Sequence, residues 1–262
     1  MLGVHLEGPY ISPDKLGAQP AFAQSPSAAA ILSLAALAPI RVVTLAPELP
    51  GALEATAALV AAGIRVQIGH SAASYEQACA ALHHGASGFT HLFNAMSGLH
   101  HRAPGAAGAA LAHAQHAELI PDLLHVHAGA IRAALRAIPG LYCVTDATAA
   151  AAMPDGAYRL GRHAVTKCGG GVRLADGTLA GSTLTMDQAL RNLVDAVGLS
   201  LREASQRVST HAAQYLGLAD RGALRVGAFA DAVLLDAQLR VRRVWVEGQA
   251  IEGAGTSSLA NH

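Results

Sequence analysis

Six short aliphatic or β-branched runs, separated by alanine-rich stretches of helical length, constrain this chain more than any other feature. The runs are Leu2 to Leu6, Arg41 to Ala46, Arg65 to Gly69, Gly88 to Leu92, Leu119 to Val126 and Leu141 to Thr145. Short apolar runs fit strands buried on both faces, and strands that alternate with helices imply βα units on a parallel sheet. Helix start signals fall where such units need them, since Ser74 with Gln77, Thr185 with Gln188 and Ser200 with Glu203 each match a capping box. Gly63 and Gly85 stand where two of the helices should stop.

After Thr148 the pattern changes. A glycine-rich segment runs from Gly156 to Gly181, followed by helical stretches at Thr185 to Val197 and Leu201 to Leu216. Ala223 to Val226, Ala232 to Asp236 and Val241 to Val246 then read as antiparallel strands. The expected organisation is α/β: an incomplete TIM-type (β/α)8 barrel of about six parallel strands in residues 1–220, with a small C-terminal β segment in residues 221–262. A full barrel takes about 250 residues and eight strands. Six were counted and the chain starts inside a strand, so the first two are expected to be missing, leaving two sheet edges to be covered.

The chain has 262 residues, 52% of them hydrophobic and 14% charged, which suits a globular protein with a sizeable core. Formal net charge is zero and the cations are dispersed, so neither nucleic acid nor a membrane surface is expected as a partner. No apolar run has membrane-spanning length, and the first seven residues include His5 and Glu7 where a leader would be basic and then apolar. Cys79, Cys143 and Cys168 form no CxxC pair and read as small apolar residues of a reducing compartment. A cytoplasmic location is expected.

Three residues of metal-binding type stand at the C-terminal ends of separate runs: Glu7 in His-Leu-Glu-Gly-Pro, His70 in Ile-Gly-His-Ser, and His91 in Thr-His-Leu-Phe-Asn. Any one of the 14 histidines, taken singly, reads as a hydrogen-bonded strand-end residue. Taken together, three such ends gathered on one barrel rim describe a two-histidine, one-glutamate site with an open fourth position, as hydrolytic metal sites have. Asp146 ends the sixth run, either as a helix cap or as a general base beside the metal. His125 ends the fifth run and could polarise a carbonyl; His127 would face the same side of a strand and competes for that role. Arg102, in the loop after His91, is either a solvated arginine or a phosphate clamp. The pairs His83–His84 and His100–His101 point apart and are assigned to solvent. Cys168 to Gly171 lacks the strand, lysine and helix of a phosphate loop and reads as a turn.

The ordered set His-Leu-Glu-Gly-Pro, Thr-Leu-Ala-Pro-Glu, Gly-His-Ser, Thr-His-Leu-Phe-Asn-Ala-Met, His-Arg-x-Pro-Gly, Val-Thr-Asp-Ala and Thr-Leu-Ala-Gly-Ser-x-Leu-Thr-Met resembles the N-acetylglucosamine-6-phosphate deacetylases of the amidohydrolase superfamily, from Leu2 to about Ile251. The resemblance implies one divalent metal per subunit on Glu7, His70 and His91, zinc first, with iron or another divalent ion as alternatives. It implies Asp146 as general acid and base, aided by His125. It further implies contacts to an amino-sugar phosphate from Ala18, Gln19, Asn94, Ala95, Arg102, Asp122, His125, Leu179, Ala180 and Gly181. Arg102 would reach the neighbouring subunit's site, so a homodimer is implied. Two departures stand out: the family's first two barrel strands are missing, which removes a second metal site, and Gln19 replaces a substrate-binding histidine. The implied reaction releases acetate from N-acetylglucosamine 6-phosphate. The alternatives are the N-acetylgalactosamine 6-phosphate reaction and an inactive metal-binding remnant.

Overall fold

The six apolar runs become parallel strands because helices cover what the sheet would otherwise expose. In the computed structural model, which describes residues 1–251, β1 (Val4–Glu7), β2 (Ile40–Leu45), β3 (Arg65–Ile68) and β4 (Gly88–Phe89) form one parallel sheet in that order. A second parallel pair, β5 (His116–Leu119) and β6 (Gly140–Cys143), continues from it. The seam between β4 and β5 is bridged where the Leu92 N–H donates to the Glu118 carbonyl at 2.8 Å. Helices α1 (Ala28–Ala35), α2 (Ala52–Ala61), α3 (Tyr75–His83), α4 (Gly105–His113) and α5 (Ala128–Ala137) alternate with the strands. Ile31, Leu59, Ala81, Ala109 and Ile131 from these helices join Val43, Leu45, Val66, Ile68 and Phe89 in one buried core. Each buried aliphatic side chain of that size contributes about 1.5–3 kcal/mol.

The other face of the strands carries a buried polar layer. The Thr44 and Thr90 hydroxyls lie 2.8 Å apart, and Thr90 donates to the Gln67 carbonyl at 2.8 Å. The Gln67 amide donates to Glu118 at 3.2 Å and to Tyr142 at 2.8 Å. One residue each from β2, β3, β5 and β6, with Thr90 just past β4, is therefore tied into a network whose buried members satisfy one another.

The fifth strand differs from its expected bounds. It ends at Leu119, and not at Val126, because Pro121 brings no N–H and Asp122 then closes a turn. The Asp122 carboxylate accepts from the N–H of Leu124 at 2.9 Å and of His125 at 2.8 Å. His125 thus sits on a loop, and His127 caps α5 by accepting from the Gly129 N–H at 3.1 Å. The capping boxes at Ser74 and Ser200 form, but Thr185 makes none: Gln188 is engaged by Arg191 and Asn192 instead.

The glycine-rich segment is a four-stranded antiparallel sheet, which the spacing of its apolar residues did not reveal. It consists of β7 (Gly156–Leu160), β8 (His163–Cys168), β9 (Gly171–Arg173) and β10 (Leu179–Ser182). Two-residue turns at Gly161–Arg162 and Gly169–Gly170 join its first three strands, the second being the turn expected at Cys168 to Gly171. Helices α6 (Met186–Asn192), α7 (Leu201–Ser205) and α8 (His211–Tyr215) follow, with π-helical turns at Leu193–Val197 and Gln206–Thr210. The tail holds β11 (Ala232–Leu235), β12 (Val241–Val246) and β13 (Gln249–Ala250), all antiparallel. Ala223 to Val226 is not a strand, and β13 was not foreseen. Residues 252–262 of the expected tail unit lie outside the described residues.

Candidate metal and catalytic site

Glu7, His70 and His91 meet at one end of the parallel strands. Glu7 is the last residue of β1, whereas His70 and His91 lie just past β3 and β4. The Nε2 atom of His70 is 2.8 Å and that of His91 is 3.3 Å from the same Glu7 Oε1, and the two Nε2 atoms are 3.0 Å apart. Getting there strains the backbone. His70, His91 and Asp146 all have positive φ, at 46°, 30° and 49°, a region non-glycine residues avoid unless their surroundings force it. Gly69 lets β3 make this exit: a Cβ there would stand 2.7 Å from Thr90 Cβ and 2.9 Å from Thr44 Cγ2.

The donor set fits a divalent cation. With metal–ligand bonds of roughly 2.1 Å, tetrahedral ligands sit roughly 3.4 Å apart, close to the observed separations. Three ligand atoms this close need positive charge between them. The His70 Nδ1 lies 2.7 Å from the Lys15 carbonyl, which turns Nε2 toward the cluster. Burial alone would raise the Glu7 carboxyl, but hydrogen bonds from both histidines hold it well below the carboxylate range. Burial would likewise push the His91 ring down, yet the Glu7 carboxylate bonded to it holds it up at about 9. The cluster thus favours a cation at its centre.

Asp146 and His125 share a cavity of about 700 Å³ with the three ligands. Asp146 follows β6 and is open on its cavity side, with protein on the others. Burial holds its carboxyl above its ordinary range against the pull of His91, and the Glu7 charge adds to the rise. Its main chain is fastened to β10, since the Ser182 N–H donates to the Asp146 carbonyl at 2.7 Å. Gly181, with φ of 66°, passes so close that a Cβ would lie 2.6 Å from Thr148 Cγ2 and 3.0 Å from the Asp146 carbonyl. His125 Nδ1 is 2.6 Å from Asp122 Oδ2, leaving Nε2 for the cavity.

Of the other residues read from the sequence, Ala18, Gln19, Asn94, Ala95, Leu179 and Gly181 line the cavity. Gln19 extends its amide to within 3.5 Å of Glu7, and the Asn94 amide donates to the His91 carbonyl at 3.1 Å. Asp122 is not a lining residue and stands behind His125. Ala180 points the other way, because alternate residues of a strand face opposite sides, and packs with Ala150, Val165 and Val172. Arg102 is exposed outside the cavity, its guanidinium 2.7 Å from His101 Nε2. Sequence reading missed Phe22, Thr148, Arg162, His163 and Thr178, which also line it. The only signal for Arg162 and His163 was the glycine before them, in a segment whose strands were hidden.

Comparison with known proteins identifies the family. The family model described as "Amidohydrolase family" matches residues 1–251. The chain belongs to the amidohydrolase family. Among curated members, it is 43% identical over 255 residues to the N-acetylgalactosamine-6-phosphate deacetylase of Escherichia coli O157:H7, covering 95% of this chain and 68% of that protein. It is 42% identical over 255 residues to the N-acetylglucosamine-6-phosphate deacetylase of Lysinibacillus sphaericus, covering 95% of this chain and 66% of that protein. Among solved structures, it matches a Mycobacterium smegmatis N-acetyl-D-glucosamine-6-phosphate deacetylase mutant in complex with N-acetyl-D-glucosamine-6-phosphate. That match has a TM-score of 0.90 and 38% identity over 95% of this chain and 68% of the other. This amidohydrolase chain therefore spans about two thirds of the length of the relatives it matches.

Proposed function

We propose that this amidohydrolase hydrolyses the acetamide of N-acetylglucosamine 6-phosphate, giving glucosamine 6-phosphate and acetate. One observation carries the reading: Glu7, His70 and His91 converge within hydrogen-bonding distance in the same cavity as Asp146 and His125. Relatives named for this activity, at about 40% identity over nearly the whole chain, support the choice of substrate.

Glu7, His70 and His91 hold one divalent cation, zinc by the character of the ligand set, with iron or another divalent ion as alternatives. When bound, it supplies Lewis-acid polarisation of the acetamide and lowers the pKa of water. Asp146 accepts a proton from the attacking water and returns it to the departing amine nitrogen, a double role suited to a carboxyl held above its ordinary range. Asp122 fixes the His125 ring so that Nε2 faces the acetamide oxygen. Ala18, Gln19, Asn94, Ala95, Leu179 and Gly181 contact the sugar, and Ala180 between the last two packs away from it. Arg102, exposed and away from its own cavity, reaches the phosphate in the neighbouring site of a homodimer.

Residues 1–220 make up the metal-dependent unit and residues 221–262 an accessory β unit, supported by the antiparallel tail strands. A cytoplasmic location is supported by three free cysteines. Among the described residues no helix is long and apolar enough to cross a membrane.

A second reading takes N-acetylgalactosamine 6-phosphate as substrate. The 43% identity to a deacetylase named for that sugar favours it, together with Gln19 in the cavity wall. Acetate release from both epimers, measured on the metal-loaded protein, tests both readings. A higher kcat/KM for the gluco epimer is expected. Bound metal without acetate from either sugar would leave a metal-binding remnant and end the deacetylase reading.

A further inference from the structure

We infer that the β7–β8 hairpin tip, Arg162 with His163, is a phosphate-selecting element of the substrate cavity, supplied by the same chain that supplies the metal ligands. The inference rests on the proposed deacetylase reading and deepens it. No sequence motif pointed to these residues.

Three observations carry it. First, the tip has a defined turn, since Leu160 pairs with His163 across two residues, and Gly161 at φ 55° supplies the conformation such a turn needs. Leu160, Gly161, Arg162 and His163 all line the cavity that holds Glu7 and Asp146. Second, the Arg162 guanidinium has no acidic partner. The arginine ion pairs among the described residues belong to Arg191, Arg221 and Arg242. Arg162 lies instead over the ring of Phe22, 5.2 Å from its centroid, and Phe22 also lines the cavity. Stacking on a ring face orients the planar guanidinium and leaves its N–H fork free for an oxyanion. Third, His163 Nε2 is buried and has no hydrogen-bond partner in the protein. A buried polar atom without a partner calls for one that the protein does not supply, and His163 belongs to the cavity lining.

Charge distribution adds a reason for this end of the cavity. The lining carboxylates are Glu7, Asp14 and Asp146, and two of them stand at the metal cluster. A phosphate must lie away from them, toward a permanent cation. Within this chain the lining offers two permanent cations, Lys15 and Arg162. Of the two, only arginine presents the bidentate fork that matches phosphate oxygens.

The test compares N-acetylglucosamine 6-phosphate with N-acetylglucosamine on the metal-loaded protein. The preference for the phosphorylated sugar, read as a ratio of kcat/KM values, should fall at least about tenfold in Arg162→Ala, chiefly through KM. Arg162→Lys should keep part of the preference, since it retains the charge and loses the fork. His163→Ala should lower the ratio by a smaller factor. Calorimetric titration with glucosamine 6-phosphate and with inorganic phosphate gives a readout that needs no turnover, and both should bind more weakly to Arg162→Ala than to the parent. If the parent releases no acetate, the deacetylase reading fails by itself while the titration still decides the role of the hairpin. An unchanged preference, or equal affinity of parent and Arg162→Ala for both anions, would overturn the inference.

Discussion

His125 Nδ1 lies 2.6 Å from the Asp122 carboxylate, on a loop that leaves the sheet two residues after β5 ends, not on the strand itself. Asp122→Asn therefore removes an orienting charge from behind the ring without removing a group that touches substrate. A fall of about ten- to hundredfold in kcat, with KM little altered, is expected from steady-state acetate release. The same pair gives a pH dependence with a defined sign. The Asp122 carboxyl is held below its ordinary range: burial opposes this, and hydrogen bonds from His125 prevail. A depressed carboxyl adds stability above its unfolded-state pKa and loses it as pH falls through the lower folded value. The difference in Tm between parent and Asp122→Asn should accordingly be full near neutrality and shrink under acid conditions. A constant difference down to pH 3 would count against the pair.

Among the described residues, Asp146 shares the cavity with Glu7, His70 and His91 and hydrogen-bonds neither of those two histidines, so its substitution separates binding from chemistry in the proposed site. Asp146→Asn should bind metal as the parent does and lose about a thousandfold or more in kcat. Elemental analysis alongside acetate release checks both halves, and a fully active variant would refute the assignment.

Gly69 exerts its effect through space, not through charge. A methyl group there would press on Thr90 and Thr44, and overpacking of that kind costs about 1–3 kcal/mol. Gly69→Ala should lower Tm and bound metal together, because the strained His70 backbone shares the same crossing. Loss of stability at undiminished metal content would show that His70 is held by other means.

If Arg102 serves the partner's cavity, two defective proteins can repair one another. Arg102→Ala and Asp146→Asn, each impaired alone, should regain about a quarter of parental turnover after subunit exchange at equal amounts, since half of the dimers would hold one intact site. No recovery in exchanged dimers would place Arg102 outside the neighbouring site.

The cysteines differ enough to be told apart chemically. Burial pushes the Cys143 thiol up to about 12, and its side chain is inside the core, whereas Cys168 is exposed at a hairpin end. Iodoacetamide at neutral pH should label Cys168 and spare Cys143 in the folded protein, with both labelled in denaturant, as peptide mass mapping would show.

Much of the parallel architecture was legible because buried strands write themselves as aliphatic runs. Glu7, His70 and His91 were legible for a related reason, as each polar residue interrupts or follows such a run. The β7–β10 sheet was not, since its short strands alternate only weakly and its glycines read as loop. That lapse hid Arg162 and His163 as well. His125 was picked out for a strand end it does not occupy, because the run of leucines after Pro121 mimics continued strand, and only the Asp122 turn shows why it reaches the cavity.

The bond from the Ser182 N–H to the Asp146 carbonyl makes the antiparallel sheet a brace for the residue proposed to carry the proton. That small sheet has its own modest cluster of buried side chains, separate from the large interior beneath the parallel strands. Heat should therefore loosen it first, so that turnover fades at temperatures where circular dichroism still reports a folded protein.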